Sequence, residues 1–243
     1  MDQKTLKNKL ILLANEKHIE FSNKLKINDQ YEILGLKIFE IKNIAKQLSR
    51  EEGINHINDF LMYKEPIFYE ELIITYFTFS FFEKNLNRND FYNYLDQLLK
   101  YNNSWATNDT IALSIKPRKK DLFSYYDYLL SKLESKNFWD IRFSIVCLMK
   151  SYLTNDYVNE TLYHLSKIDN EEYYVEMALG WAFATALAKQ REATYPYIFE
   201  KKINNKINKK AIQKSIESKR ISDIDKEKLK VLRNEINLEL KNF

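Results

Sequence analysis

Four residues of this chain combine side-chain types and spacings that could do chemistry. Trp105 and Asp109 lie four apart in SWATNDTIALSIKP, so a helix would set them on one face. Arg142 follows 37 residues after Trp105, and Trp181 a further 39 residues on. Two indole faces, one carboxylate and one guanidinium suit a cationic ligand that carries a phosphate. The π-faces and the carboxylate attract the cation, while the arginine can grip phosphate oxygens through two parallel N–H bonds. Plainer readings stand beside this one. Both tryptophans can be core residues, Asp109 can cap a helix or lie in solvent, and Trp139 can mark the middle position in place of Arg142.

Other chemistry finds little support. His18, His56 and His164 are scattered and Cys147 is the only cysteine, so there is no paired metal-ligand spacing. No nucleophile has a base beside it, and the histidines are expected at the surface or between helices. No cofactor is implied either. Three glycines in 243 residues cannot supply the phosphate-binding loops of nucleotide folds. One cysteine excludes an intrachain disulfide framework and suits a reducing cytosol. Its apolar neighbours in IVCLM make Cys147 a core thiol.

The elements that must hold the four residues are helices. Three glycines and three prolines are too few for a sheet with tight hairpins, and apolar residues recur at helical spacing. Helices are expected over 3–14 and 17–26, then, after a break at Asn28–Asp29, over 31–50 with Gly53 as its C-cap. Further helices are expected over 54–62, from Pro66 through EPIFYEELIITYFTFSFFEK, and over 89–101. Ser104 can cap a short helix that Pro117 stops. The remainder falls at about 121–135, 137–153, 156–167, 171–190, 193–201, 207–219 and 223–240.

The most apolar stretch is 171–190, EEYYVEMALGWAFATALAKQ, where Glu176 is the sole charge between Glu172 and Lys189. A helix hydrophobic all round is a buried one. Gly180 at its middle costs about 1 kcal/mol relative to alanine, so a neighbouring helix or a ligand must come close there. The spacing of Trp105, Arg142 and Trp181 approaches the roughly 40-residue period of HEAT-like helix pairs. The expected fold is therefore all-α: a single domain, 1–243, forming a HEAT-like helical-repeat solenoid (an α-α superhelix) with a basic concave face.

The basic character is local. The net charge is only +4, but residues 200–220 hold eight cations against Glu200 and Glu217, a local balance of +6. Lys116, Arg118, Lys119 and Lys120 form a second knot. Clustered charge is what nucleic-acid binding leaves in a sequence, although a solvated basic face looks the same. Lys209, Lys210, Lys214 and Arg220 are the first candidates for backbone contacts, with Lys116, Arg118 and Lys119 the second. No apolar run reaches the length of a membrane span, and the N-terminal apolar run is too short for a signal peptide. A cytoplasmic protein is expected.

These blocks also carry a resemblance. The stretches YEILGLKIFEIKNIAKQL, NNSWATNDTI, FWDIRFSIVCLMKSYL, EEYYVEMALGWAFATALAKQ and NKKAIQKSIESKRIS resemble the AlkD-like DNA alkylation repair family of HEAT-repeat proteins, closest to a bacterial branch of it. The resemblance covers nearly the whole chain. It implies a DNA glycosylase that releases N3- and N7-alkylated purines from double-stranded DNA without a base-flipping pocket. It also implies a monomer located with the bacterial nucleoid when on DNA. The family's two tryptophans, aspartate and arginine correspond to Trp105, Trp181, Asp109 and Arg142. Asp109 would then stabilise the sugar cation, the indoles would pack against the lesion nucleotide, and Arg142 would hold a flanking phosphate. Two departures stand out: ESKRIS lacks the tyrosine common before the arginine, and Tyr31 is only a loose counterpart of an N-terminal tyrosine. Two other readings remain: a non-catalytic binder of distorted or branched DNA, and a scaffold for a protein partner.

Overall fold

A chain this poor in glycine and proline starts its helices with polar side chains. Asn15, Asn87, Ser104, Asn137 and Asn204 each accept a hydrogen bond from a backbone N–H in the following first turn, a cap typically worth about 1 kcal/mol. The structure, a computed structural model, describes residues 3–27, 30–63, 66 and 68–239. Among the described residues it is all-α, with fourteen helices and a lone parallel bridge between Glu32 and Phe68. The expected break at Asn28–Asp29 lies outside the described residues. The chain divides between Leu122 and Phe123 into two compact units.

The first unit contains α1 (Gln3–Leu12), α2 (Glu16–Lys24), α3 (Ile38–Glu51), α4 (Ile54–Tyr63), α5 (Tyr69–Phe82), α6 (Arg88–Leu99) and α7 (Trp105–Ser114). Its centre is α5, buried at every position from Tyr69 to Ser80, with α3, α4 and α7 packed against it. The β-branched and aromatic residues of α5 fit a strand equally well on propensity. Burial on all sides makes them a core helix instead. Gly53 closes α3 as expected, at φ +56° with its N–H donating to the Leu48 carbonyl at 2.9 Å.

Two expectations fail here. The helix expected from Tyr31 begins only at Ile38, because the preceding backbone is satisfied from a distance. The buried Glu70 carboxylate accepts the N–H groups of Leu34, Gly35 and Leu36 at 3.1, 2.8 and 3.3 Å. The Leu34 carbonyl takes the Asn15 N–H, and the Glu32 carbonyl takes the Tyr69 N–H. With those groups paired across the fold, local helix offers no further gain. Pro66 is likewise not in a first turn: α5 starts at Tyr69, with the Phe68 N–H bonded to the Glu71 carboxylate at 2.9 Å.

The second unit contains α8 (Leu122–Leu133), α9 (Phe138–Ser151), α10 (Val158–Ser166), α11 (Tyr173–Lys189), α12 (Arg191–Phe199), α13 (Asn205–Glu217) and α14 (Asp223–Glu239). Its centre is α11, flanked by α9 and α13, with α12 beside it and α14 against α13. The close approach demanded by Gly180 is that of α13. A Cβ there would stand 2.7 Å from Lys210 Cβ and 3.2 Å from its carbonyl carbon. Glu176, the lone charge of α11, pairs with Lys210 across the same seam. Cys147 is buried, 3.3 Å from the Tyr125 hydroxyl.

Within each unit alternate helices stack, starting at 38, 69 and 105 in the first and at 138, 173 and 205 in the second. These starts are closer together than Trp105, Arg142 and Trp181 are. The three residues therefore occupy different places on their helices: first on α7, fifth on α9 and ninth on α11.

Candidate functional site

In the first unit, the chain enters α7 through a tight polar start. Ser104 accepts the Thr107 N–H while Thr107 Oγ1 accepts the Ser104 N–H, both at 3.2 Å, a reciprocal cap. That fixes the direction of the first turn, where Trp105 stands half-buried. Asp109, one turn on, is 9% exposed. An indole and a carboxylate thus share one face of a helix seated on the core helix α5. Beyond the end of α7, Lys116 and Lys119 are exposed. Arg118 is engaged within the fold: its Nε meets Asp121 at 2.5 Å, and Arg88 reaches the same carboxylate at 3.2 Å.

In the second unit, α9 lays Trp139 and Arg142 against the start of α11. Trp139 is buried, its ring 4.9 Å from Tyr174 and 4.7 Å from Phe138. Arg142 is 5% exposed; its Nη1 donates to the Tyr174 carbonyl at 2.7 Å, and its guanidinium lies 6.0 Å from that ring. The sequence held no signal for Tyr174 beyond its place in an aromatic pair.

Trp181 is half-buried although its helix is apolar on every side. It walls a shallow pocket of about 250 Å³ together with Ala184, Thr185, Lys214, Glu217, Ser218 and Arg220. Two of the candidate cations, Lys214 and Arg220, are thereby brought to the indole. The other two face elsewhere. Lys210 is held by Glu176, with its Nζ 5.8 Å from the Tyr173 ring, and the exposed Lys209 lines a separate groove with Lys206, Lys210, Gln213 and Arg233. The split follows from helix geometry. Lys210 and Lys214 are one turn apart, and the seam at Gly180 decides which of them is pressed onto α11.

The arrangement offers an indole beside cations in the second unit and an indole beside a carboxylate in the first. Both are ways of holding a charged, partly flat, phosphate-bearing ligand. Among the described residues, no group of three or more histidine, cysteine or acidic side chains could hold a metal ion. No helix among them is long and apolar enough to cross a membrane.

The sequence matches the family described as DNA alkylation repair enzyme over residues 6–217, most of its length, and the chain belongs to that family. No curated protein sequence matches it.

Proposed function

We propose that the protein is a DNA glycosylase that releases N3- and N7-alkylated purines from double-stranded DNA. The observation that carries this reading is Asp109, a carboxylate nearly removed from water on the same helix face as the half-buried Trp105. Alkylation at N3 or N7 leaves the purine positively charged. When the bond from C1′ to the purine nitrogen breaks, the electron pair leaves with the base, which departs neutral and needs no general acid. The positive charge passes to the sugar, where Asp109 stabilises it and orients the attacking water. Water adds to C1′ and loses a proton to solvent, leaving an abasic site and the free alkylpurine. A fixed charge in a dry site acts without reorganisation at the moment of reaction, and such electrostatic stabilisation is usually the largest single contribution to catalysis.

In this reading Trp105 packs against the deoxyribose, and the base is never drawn into a pocket. Trp181 lies along the strand, with Lys214 and Arg220 on its phosphates and Arg142 holding a flanking phosphate. The partner is double-stranded DNA, the protein acts as a monomer, and no cofactor takes part. The test is release of 7-methylguanine from methylated duplex DNA. Release no faster than spontaneous depurination, or unchanged release by Asp109→Asn, would sink the proposal.

One observation favours a second reading. The pocket of Trp181, Lys214 and Arg220 is complete without Asp109, as a non-catalytic binder of distorted or branched DNA requires. Such a protein binds junctions tightly with a steep salt dependence and is indifferent to Asp109→Asn.

A further inference from the structure

The last helix contributes a surface that the proposed lesion chemistry does not use. Helices α13 and α14 pack together, and an open groove of about 430 Å³ is lined by Lys206, Lys209, Lys210, Gln213 and Arg233. The lining is four cations and an amide, with no carboxylate in it. Lys210 is neutralised by Glu176, and Lys206 stands 3.6 Å from Glu171, whose side chain is 89% exposed and easily displaced. Lys209 and Arg233 make no ion pair among the described residues.

Arg233 is held in an informative way. Its Nη1 donates to Gln213 Oε1 at 3.0 Å, and Gln213 Nε2 in turn donates to Glu217 at 2.5 Å. The amide is thus fixed from behind and steadies one arm of the guanidinium. The other N–H groups of Arg233 have no protein partner among the described residues. A guanidinium steadied at one arm with the rest of its fork open suits the two non-bridging oxygens of a phosphodiester. The neighbouring cations point to a chain of phosphates over a single anion. About 6 Å of α13 separates Lys206 from Lys210, with Arg233 across the groove on α14, while phosphates of one DNA strand succeed one another about every 3.4 Å along the duplex axis.

We propose that the α13–α14 groove binds the phosphodiester backbone of duplex DNA, with Arg233 forking one phosphate and Lys206 and Lys209 adding charge. The inference rests on the protein acting on DNA, and is independent of glycosylase chemistry. The experiment is binding of an undamaged, labelled duplex by fluorescence anisotropy between about 50 and 200 mM salt. The combined variant Lys206→Gln, Lys209→Gln, Arg233→Gln, confirmed folded by circular dichroism, is expected to flatten the slope of log affinity against log salt by about 2 to 3. Each lost phosphate contact removes about 0.9 from that slope. Arg233→Lys keeps the charge and loses the fork, so it keeps the slope while affinity falls several-fold.

An unchanged slope in the combined variant overturns the proposal, and so does equal or tighter binding of duplex RNA through the same residues. Base release by the wild-type protein separates the two readings. A groove-dependent slope without base release leaves this inference standing and removes the glycosylase. Base release with a wild-type slope in the combined variant does the reverse.

Discussion

Replacing Gly180 by alanine sets two effects of known size against each other. At an open helix position alanine is favoured over glycine by about 1 kcal/mol. At Gly180 the new Cβ would meet Lys210 Cβ at 2.7 Å, the Lys210 carbonyl carbon at 3.2 Å and the Ala211 nitrogen at 3.3 Å. None of these atoms can turn away by a rotamer change, so α13 must shift as a body. Overpacking of a close-packed seam costs about 1–3 kcal/mol; a moving backbone places this case at about 2–3, leaving a net loss of about 1–2 kcal/mol. For a chain of this size each kcal/mol moves Tm by about 2–4 °C, so Tm is expected to fall by several degrees in a thermal melt followed by circular dichroism. The shift also strains the Glu176–Lys210 pair and displaces Lys214 from Trp181, so DNA affinity should drop with Tm. A Tm equal to or above that of the wild type would refute the close approach.

Three further outcomes follow from particular side chains. His56 lies buried against Thr75, and burial pulls its imidazole from 6.5 down to about 4. Its contribution to stability is complete above pH 6.5 and is lost as pH falls toward about 4, up to about 3 kcal/mol; denaturant titrations of His56→Gln should show a flatter profile across that window. Trp139→Ala should cost about 3–5 kcal/mol by emptying a packed site, whereas Trp181→Ala should lower Tm clearly less while base release falls; the opposite pattern would return Trp181 to the core. Lys210→Met strands the buried Glu176 and should destabilise by about 3–5 kcal/mol, most of it recovered by adding Glu176→Gln, which a melt of the three variants would decide.

The helices were legible because their signal is local. Apolar spacing, the caps at Ser104 and Gly53 and the burial of 171–190 all depend on neighbours in sequence. The extended run before Ile38 was not legible, since its hydrogen-bond partner is Glu70, far along the chain. Of the candidate site, the pairing of Trp105 with Asp109 on one helix face could be read from spacing. That Gly180 needs a close neighbour was also readable; that the neighbour is Lys210 was not. No periodicity says which lysine of α13 meets a glutamate and which borders Trp181, because the seat of one helix on another decides it. Arg233 gave no signal at all among the charges of α14.

The Glu70 carboxylate recognises peptide N–H groups, which every residue except proline presents alike. Leu34 and Leu36 can therefore exchange for other apolar residues without disturbing the connection into α3. Gly35 cannot, with φ at +75° and the Asn15 carbonyl oxygen 2.5 Å from where a Cβ would sit. Tolerance to substitution in this connection is thus sharply uneven: open to other apolar side chains at the two buried leucines, whose N–H groups serve an acid on another helix, and near zero at one glycine, closed by its φ and the Asn15 carbonyl.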